Sequence, residues 1–212
     1  AAQHFFYTKG YDQTSVQDII DQVGIAKGTF YHHFDSKQDV LEALIQRIAL
    51  QTGQALEPIV AAPKLGAIEK FNRFFTSAGQ FKLENKDALL AIWGALYGSH
   101  NALLREKTRA ESLQEFSPLL ARVIRQGLEE GCFTNPDPEM SARIVLQIGS
   151  DMTHALVQLF LQEETTSLET IQRTAAAHEE AIARVLGAPS DSIQIAPIEN
   201  FRPWFELTAH SS

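Results

Sequence analysis

Between Ser15 and Val23 the apolar side chains fall at Val16, Ile19, Ile20 and Val23, the i, i+3, i+4, i+7 spacing of a helix with one buried face. Gly24 breaks the pattern where a left-handed residue would close such a helix, and Ile25 can fold back on the last turn as an apolar seal. A second short helix is predicted from Ala26 to His33, with Phe30 and Phe34 as its apolar pair. Its other positions, Lys27, Gly28, Thr29, Tyr31, His32 and His33, fall mostly on the remaining sides. Ser36 and Asp39 then fit a capping box that opens a third helix near Lys37.

Helical periodicity continues beyond this point without strand-like alternation or internal repeats, so an all-α fold is predicted. A long helix is expected from Ser36 to about Leu56 on Val40, Leu41, Leu44, Ile45 and Ile48, with Pro58 and Pro63 bracketing a break. The next are predicted at about 64–83, on Ile68, Phe71, Phe74, Phe75, Ala78 and Phe81, and at about 86–105, on Leu89, Leu90, Ile92, Trp93, Leu96 and Tyr97. Others are expected at about 113–130, 138–162 and 167–186; Asp137 caps the second of these, and Pro138 sits at its first position. From Ser190 onward Ile193, Ile195, Ile198, Phe201, Trp204 and Phe205 make the tail too apolar for a free linker, so it is expected to dock on the body.

Composition narrows the class. With 212 residues, 44% of them hydrophobic, the chain can bury a sizeable core in one domain or two. Its apolar runs fall short of the roughly 20 residues needed to cross a bilayer, and its start does not look like a secretory leader. The single Cys132 excludes an internal disulfide and fits a reducing cytoplasm. The net charge of −8 is compatible with a nucleic-acid partner, since negative charge away from a binding face repels DNA from the wrong surfaces.

The two short helices point to DNA. On the second, Gly28 permits close backbone approach, Thr29 can bond a phosphate or meet a thymine methyl, and Lys27 can read guanine. Tyr31, His32 and His33 can donate to phosphates, and Lys37 stands beside a helix N-terminus where a phosphate can bind.

The ordered set Phe5, Gly10, Thr14, Ser15, Ile19, Gly24, Ile25, Lys27, Gly28, Thr29, Tyr31, His33, Phe34, Ser36, Lys37 and Leu41 resembles the DNA-binding head of the tetracycline-repressor family of bacterial regulators, over about the first fifth of the chain. The resemblance implies a three-helix helix-turn-helix head over 1–46, its first helix truncated at its start, and a helical effector-binding and dimerisation body over 47–212. It implies a repressor, not an enzyme, that binds a palindromic operator as a homodimer and is released by a small-molecule effector, with no cofactor and no membrane. DNA contacts carried over by the resemblance fall on Ser15 and Gln17 of the first short helix, on Lys27, Gly28, Thr29, Tyr31, His32 and His33 of the second, and on Lys37. Position 17 is often basic in the family; here Gln17 either reads adenine or caps its own helix. The visible head is not basic by count: residues 1–52 hold Lys9, Lys27, Lys37 and Arg47 against Asp12, Asp18, Asp21, Asp35, Asp39 and Glu42.

The helices at 138–162 and 167–186 resemble the family's dimerisation pair, with Ile144, Ile148, Met152, Ala155 and Leu159, and Ile171, Ala175, His178, Ile182 and Val185, as stripes for a partner or for the chain's own core. Phe71, Phe74, Phe75, Trp93 and Tyr97, with His100 as polar handle, are candidate walls for an apolar or aromatic effector. Gln147, Asp151, His154 and Gln158 form a polar row that is pocket lining, a hydrogen-bonded dimer seam or a solvated face; within it Asp151 can orient His154. The alternatives are a regulator without an effector, one that requires a corepressor, or, remotely, an enzyme or metal sensor using His100, Asp151 and His154.

Overall fold

The computed structural model describes residues 2–97, 102–161 and 168–196, and the regular structure among them is entirely α-helical. The elements are α1 (Ala2–Thr8), α2 (Val16–Val23), α3 (Lys27–His33), α4 (Lys37–Ala61), α5 (Ala67–Glu84), α6 (Lys86–Tyr97), α7 (Ala102–Glu129), α8 (Pro138–Leu161) and α9 (Leu168–Leu186). They form two compact units, Ala1–Gln51 with Glu84–Ser112, and Thr52–Leu83 with Leu113–Ser212.

Two boundaries differ from the periodicity. α4 runs through Pro58 to Ala61. Pro58 and Gln54 are both exposed, so water can take the Gln54 carbonyl that proline leaves without an amide. α6 ends at Tyr97, and α7 spans 102–129 through the exposed Pro118. The stretch from Arg105 to Glu111 has little apolar periodicity, but its Arg, Glu and Lys residues are good helix formers, and Glu106 and Arg109 pair at i, i+3 with 2.5 Å between Oε1 and Nη2.

In the first unit α1 packs against α6, and Phe6, Ile19, Ile20, Phe30, Leu41, Leu44 and Ile45 are buried. Lys107 of α7 reaches Glu42 of α4 at 2.5 Å, a bond that holds the Glu42 carboxyl below its usual range.

In the second unit Phe71, Phe74, Leu120, Ile124, Phe133, Val145, Ile171, Ile182 and Leu186 share one apolar core. The buried Lys70 donates to Val60 O at 2.8 Å and to Gln126 Oε1 at 2.7 Å. Gln126 in turn donates to Leu65 O and to Glu130 Oε1, and Glu130 Oε2 accepts the Ala67 amide at 2.8 Å. The tail docks as expected over its described part: Ile193 and Ile195 are buried, Glu179 Oε1 accepts the amides of Ile195 and Ala196, and Asn72 brackets Ser192 O and Gln194 N. Ile198, Phe201, Trp204 and Phe205 lie outside the described residues. Cys132 is a free, half-buried thiol, and burial with the nearby Glu130 raises its pKa.

Gly127 lies under the Phe133 ring; a Cβ there would stand 2.1 Å from Cδ2 of that ring, which is only 2% exposed. Overpacking of this kind costs about 1–3 kcal/mol, more than the ~1 kcal/mol that alanine gains over glycine in a helix. Gly127→Ala is therefore expected to lower the urea midpoint of the chain; an unchanged or raised midpoint would mean that Phe133 can swing aside.

Candidate nucleic-acid interface

The head is built from short-range instructions. Ser15 caps α2 in a complete capping box: its Oγ accepts the Asp18 amide at 3.1 Å, and Asp18 Oδ2 accepts the Ser15 amide at 2.8 Å. Gly24 closes the helix at φ 72°, a left-handed conformation that glycine takes without Cβ strain, and the amides of Gly24 and Ile25 both return to Ile20 O. Ile19 and Ile20 are buried and Val16 is half-buried. Val23 is 50% exposed, a departure from the predicted stripe: it lies in line with Val16 at the edge of the face, beside the turn.

α3 follows immediately, and Phe30 at 2% exposure is its one buried residue. The Phe34 ring, half-buried, lies 5.8 Å from that of Phe30. Lys27, Gly28, Thr29, Tyr31, His32 and His33 are all exposed, as are Ser15 and Gln17 on α2. Lys27 Nζ lies 5.9 Å from the centre of the Tyr31 ring, and the two histidine rings meet edge to face at 5.0 Å.

Three predicted contact residues have partners that periodicity did not reveal. Ser15 spends its amide and its hydroxyl proton on Asp18. Gln17 does not cap α2; its Nε2 donates to Asp21 Oδ1 at 2.7 Å. Lys37 turns to the turn after α1, donating to Tyr11 O at 2.5 Å and Asp12 O at 3.3 Å, with its ammonium 4.3 Å from the centre of the Tyr11 ring. These two bonds leave one of its three N–H groups. At the start of α4 half of the predicted capping box is present, with Ser36 Oγ accepting the Asp39 amide, while Asp39 Oδ2 accepts the amide of Asp35 in place of that of Ser36.

The acids of the head are placed so that several cost the interface little. Asp18 pairs with Lys9 at 3.0 Å, Asp39 accepts the Asp35 amide and the Ser36 hydroxyl, and Glu42 pairs with Lys107. Asp18 and Asp21, both bonded to predicted contact residues, were legible only as local spacings, Ser15 to Asp18 at i+3 and Gln17 to Asp21 at i+4.

The residues predicted for an effector divide. Phe71, Phe74 and Phe75 lie in the second unit with neighbouring ring centres 5.2 and 5.3 Å apart; Phe71 and Phe74 are core residues, and Phe75 packs beside Gly149. Trp93 and Tyr97 belong to the first unit, where burial raises the Tyr97 phenol pKa against the opposing pull of Arg105; His100 lies outside the described residues. Gln147, Asp151 and His154 are exposed on α8, and Gln158 is half-buried. Asp151 Oδ2 faces His178 Nε2 of α9 at 3.2 Å, while His178 Nδ1 lies 2.7 Å from Thr174 O. Met152, Ile171, Ala175 and Ile182, candidate partner-facing positions, are buried in the unit's own core. A cleft of about 470 Å³ between α5 and the docked tail is lined by Ile68, Glu69, Asn72, Arg73, Thr76 and Gln194, none of them a predicted effector residue. Among the described residues no group of three or more His, Cys, Asp or Glu could hold a metal ion, and no helix is long and apolar enough to cross a membrane.

The family model for bacterial regulatory proteins, tetR family, matches residues 1–44. The HTH-type transcriptional repressor KstR2 of Rhodococcus jostii (strain RHA1) is 40% identical over 145 residues, 68% of this chain and 70% of that protein. The fatty acid metabolism regulator protein of Bacillus subtilis (strain 168) is 30% identical over 132 residues, 62% of this chain and 66% of that protein. Coverage of curated relatives varies, and the chain spans only 23% of the length of one that matches over 45 residues. A solved putative TetR-family regulator from Syntrophomonas wolfei str. Goettingen shares the fold, with a TM-score of 0.64 over 86% of this chain and 91% of that one at 23% identity.

The hydrogen bonds from Ser15, with Lys9 beside them, hold the Asp18 carboxyl down at about 2. A folded value below the ordinary carboxylate value of about 3.9 means that the cap contributes fully above about pH 4 and is lost as the pH falls towards about 2. NMR titration of the Asp18 carboxyl is expected to give a midpoint near the lower value; a midpoint at the ordinary one would mean that the capping box is not formed in solution.

Proposed function

The chain belongs to the TetR family of bacterial transcriptional regulators, and from that premise we propose a ligand-responsive repressor that binds a palindromic operator as a homodimer and leaves it when a small molecule enters its helical body. The observation that carries the reading is α3, held by the buried Phe30 with Lys27, Gly28, Thr29, Tyr31, His32 and His33 all exposed. Gly28 supports it independently. A Cβ there would meet nothing within 4 Å, so nothing among the described residues requires glycine. Glycine nevertheless costs a helix up to about 1 kcal/mol relative to alanine. A DNA surface pressed against the helix supplies the missing reason.

Residues 1–46 are the proposed operator-binding part and 47–212 the effector-binding and dimerisation part. For the dimer, the exposed Met140, Ile144, Gln147, Asp151 and His154 follow one another at alternating steps of four and three along α8, the spacing of a helix–helix seam, and Leu168 is exposed at the start of α9. Two heads about 34 Å apart would enter successive major grooves. An effector that favours another spacing withdraws them, to the extent of its differential affinity. The packing of α6, which carries Trp93 and Tyr97, against α1 supports such coupling. The effector proposed is apolar or aromatic. The likeness to the B. subtilis fatty acid metabolism regulator extends over 132 residues, well beyond a head, and favours a fatty-acid-derived molecule.

The ligand-free chain is expected to select a palindrome from a pool of random duplexes at physiological salt. On that duplex Gly28→Ala should bind on the order of tenfold more weakly by fluorescence anisotropy, with its urea midpoint unchanged or raised. A pool with no enriched sequence, or equal binding by the variant, would contradict the reading.

A further inference from the structure

Gln17 is exposed on α2, and its amide nitrogen donates to Asp21 Oδ1 at 2.7 Å, one helical turn further on. An ionised carboxylate only accepts hydrogen bonds, so the amide is fixed one way round, with its NH2 end towards Asp21. The free edge of Gln17 then carries the lone pairs of Oε1 and one remaining N–H. In the major groove adenine matches that edge, offering the N6 donor beside the N7 acceptor. Guanine offers two acceptors, O6 and N7, and would meet Oε1 lone pair to lone pair.

The position of Asp21 is otherwise unfavourable for a DNA-binding face, because an exposed carboxylate there repels phosphates. The Asp18 and Asp39 carboxylates accept backbone amides at the starts of α2 and α4, whereas that of Asp21 accepts the side-chain amide of Gln17. The geometry points to Asp21 as a positioning residue that makes Gln17 an adenine reader in each operator half-site, an assignment that rests on α2 and α3 facing DNA.

The test uses full-length chains carrying Gln17→Ala, Asp21→Ala or Asp21→Glu. Each is measured on the duplex that the unaltered chain selects from a random pool, with every base pair of the half-site replaced in turn. Gln17→Ala marks the position that Gln17 reads, and there the unaltered chain is expected to prefer adenine by about 5- to 150-fold. Asp21→Ala should shrink that preference to within about twofold while binding random duplexes no more weakly, since it removes a negative charge. Asp21→Glu keeps a carboxylate within reach and should retain the preference. A merely structural role for Asp21 would change helix content or affinity for all sequences, not the choice at one base pair. A preference that survives Asp21→Ala, guanine favoured at the marked position, or a Gln17→Ala chain with unaltered preferences would overturn the inference and leave the DNA-binding reading standing. An unaltered chain that binds no duplex would overturn the reading beneath it, and the inference with it.

Discussion

The candidate interface depends on one buried ring. α3 has seven residues, too few to form a stable helix in water on its own. Phe30 supplies the burial that holds it, and Gly24, in the left-handed conformation, sets where the chain turns before it begins. Because a single side chain is committed to the core, six positions of the helix are displayed outward. The same economy explains why the head needs no surplus of basic residues by count. Half of its six acids are occupied in caps and pairs, with Asp18 on Ser15 and Lys9, Asp39 on Ser36 and Glu42 on Lys107.

The second unit has its own organising contact, the buried Lys70. An ammonium removed from water is costly unless its hydrogen bonds are met. Here it donates to Val60 O in the last turn of α4, where carbonyls lack helical partners and the helix dipole is negative, and to Gln126. Gln126 and Glu130 carry the network to the Leu65 carbonyl and to the first amide of α5, one of the orphan donors of a helix start. The end of α4, the loop after it and the start of α5 are thus fixed together on α7. That in turn sets the register in which Phe71 and Phe74 enter the core.

Much of the head was legible in the sequence because its signals are local. The Gly24 stop, the Phe30 and Phe34 pair and the Ser36 to Asp39 cap each depend on residues within a turn or so of one another. What was not legible involves partners distant in sequence or helices without an apolar stripe. The first half of α7 is helical on charged residues, so hydrophobic periodicity placed its start eleven residues late, at 113 in place of 102. Pro58 reads as a breaker but sits where its lost bond faces water. His154 stands near Asp151 in the sequence, but His178 of α9, which the fold brings to the same carboxylate from 27 residues away, could not be read from spacing. Apolar stripes on α8 and α9 cannot by spacing alone be assigned to the chain's own core or to a partner. Met152, Ile171 and Ile182 went to the core, leaving Met140 and Ile144 exposed.

The claim on which the functional account stands is that the exposed side of α3 meets base edges in the major groove. The most direct measurement is photo-crosslinking of the full-length chain to its selected duplex with 5-iodouracil in place of thymine, since the C5 position projects into that groove. Peptide mapping by mass spectrometry is expected to find adducts within residues 27–33, at Tyr31, His32 or His33. Adducts confined to another surface, such as the exposed row of α8, would contradict the account.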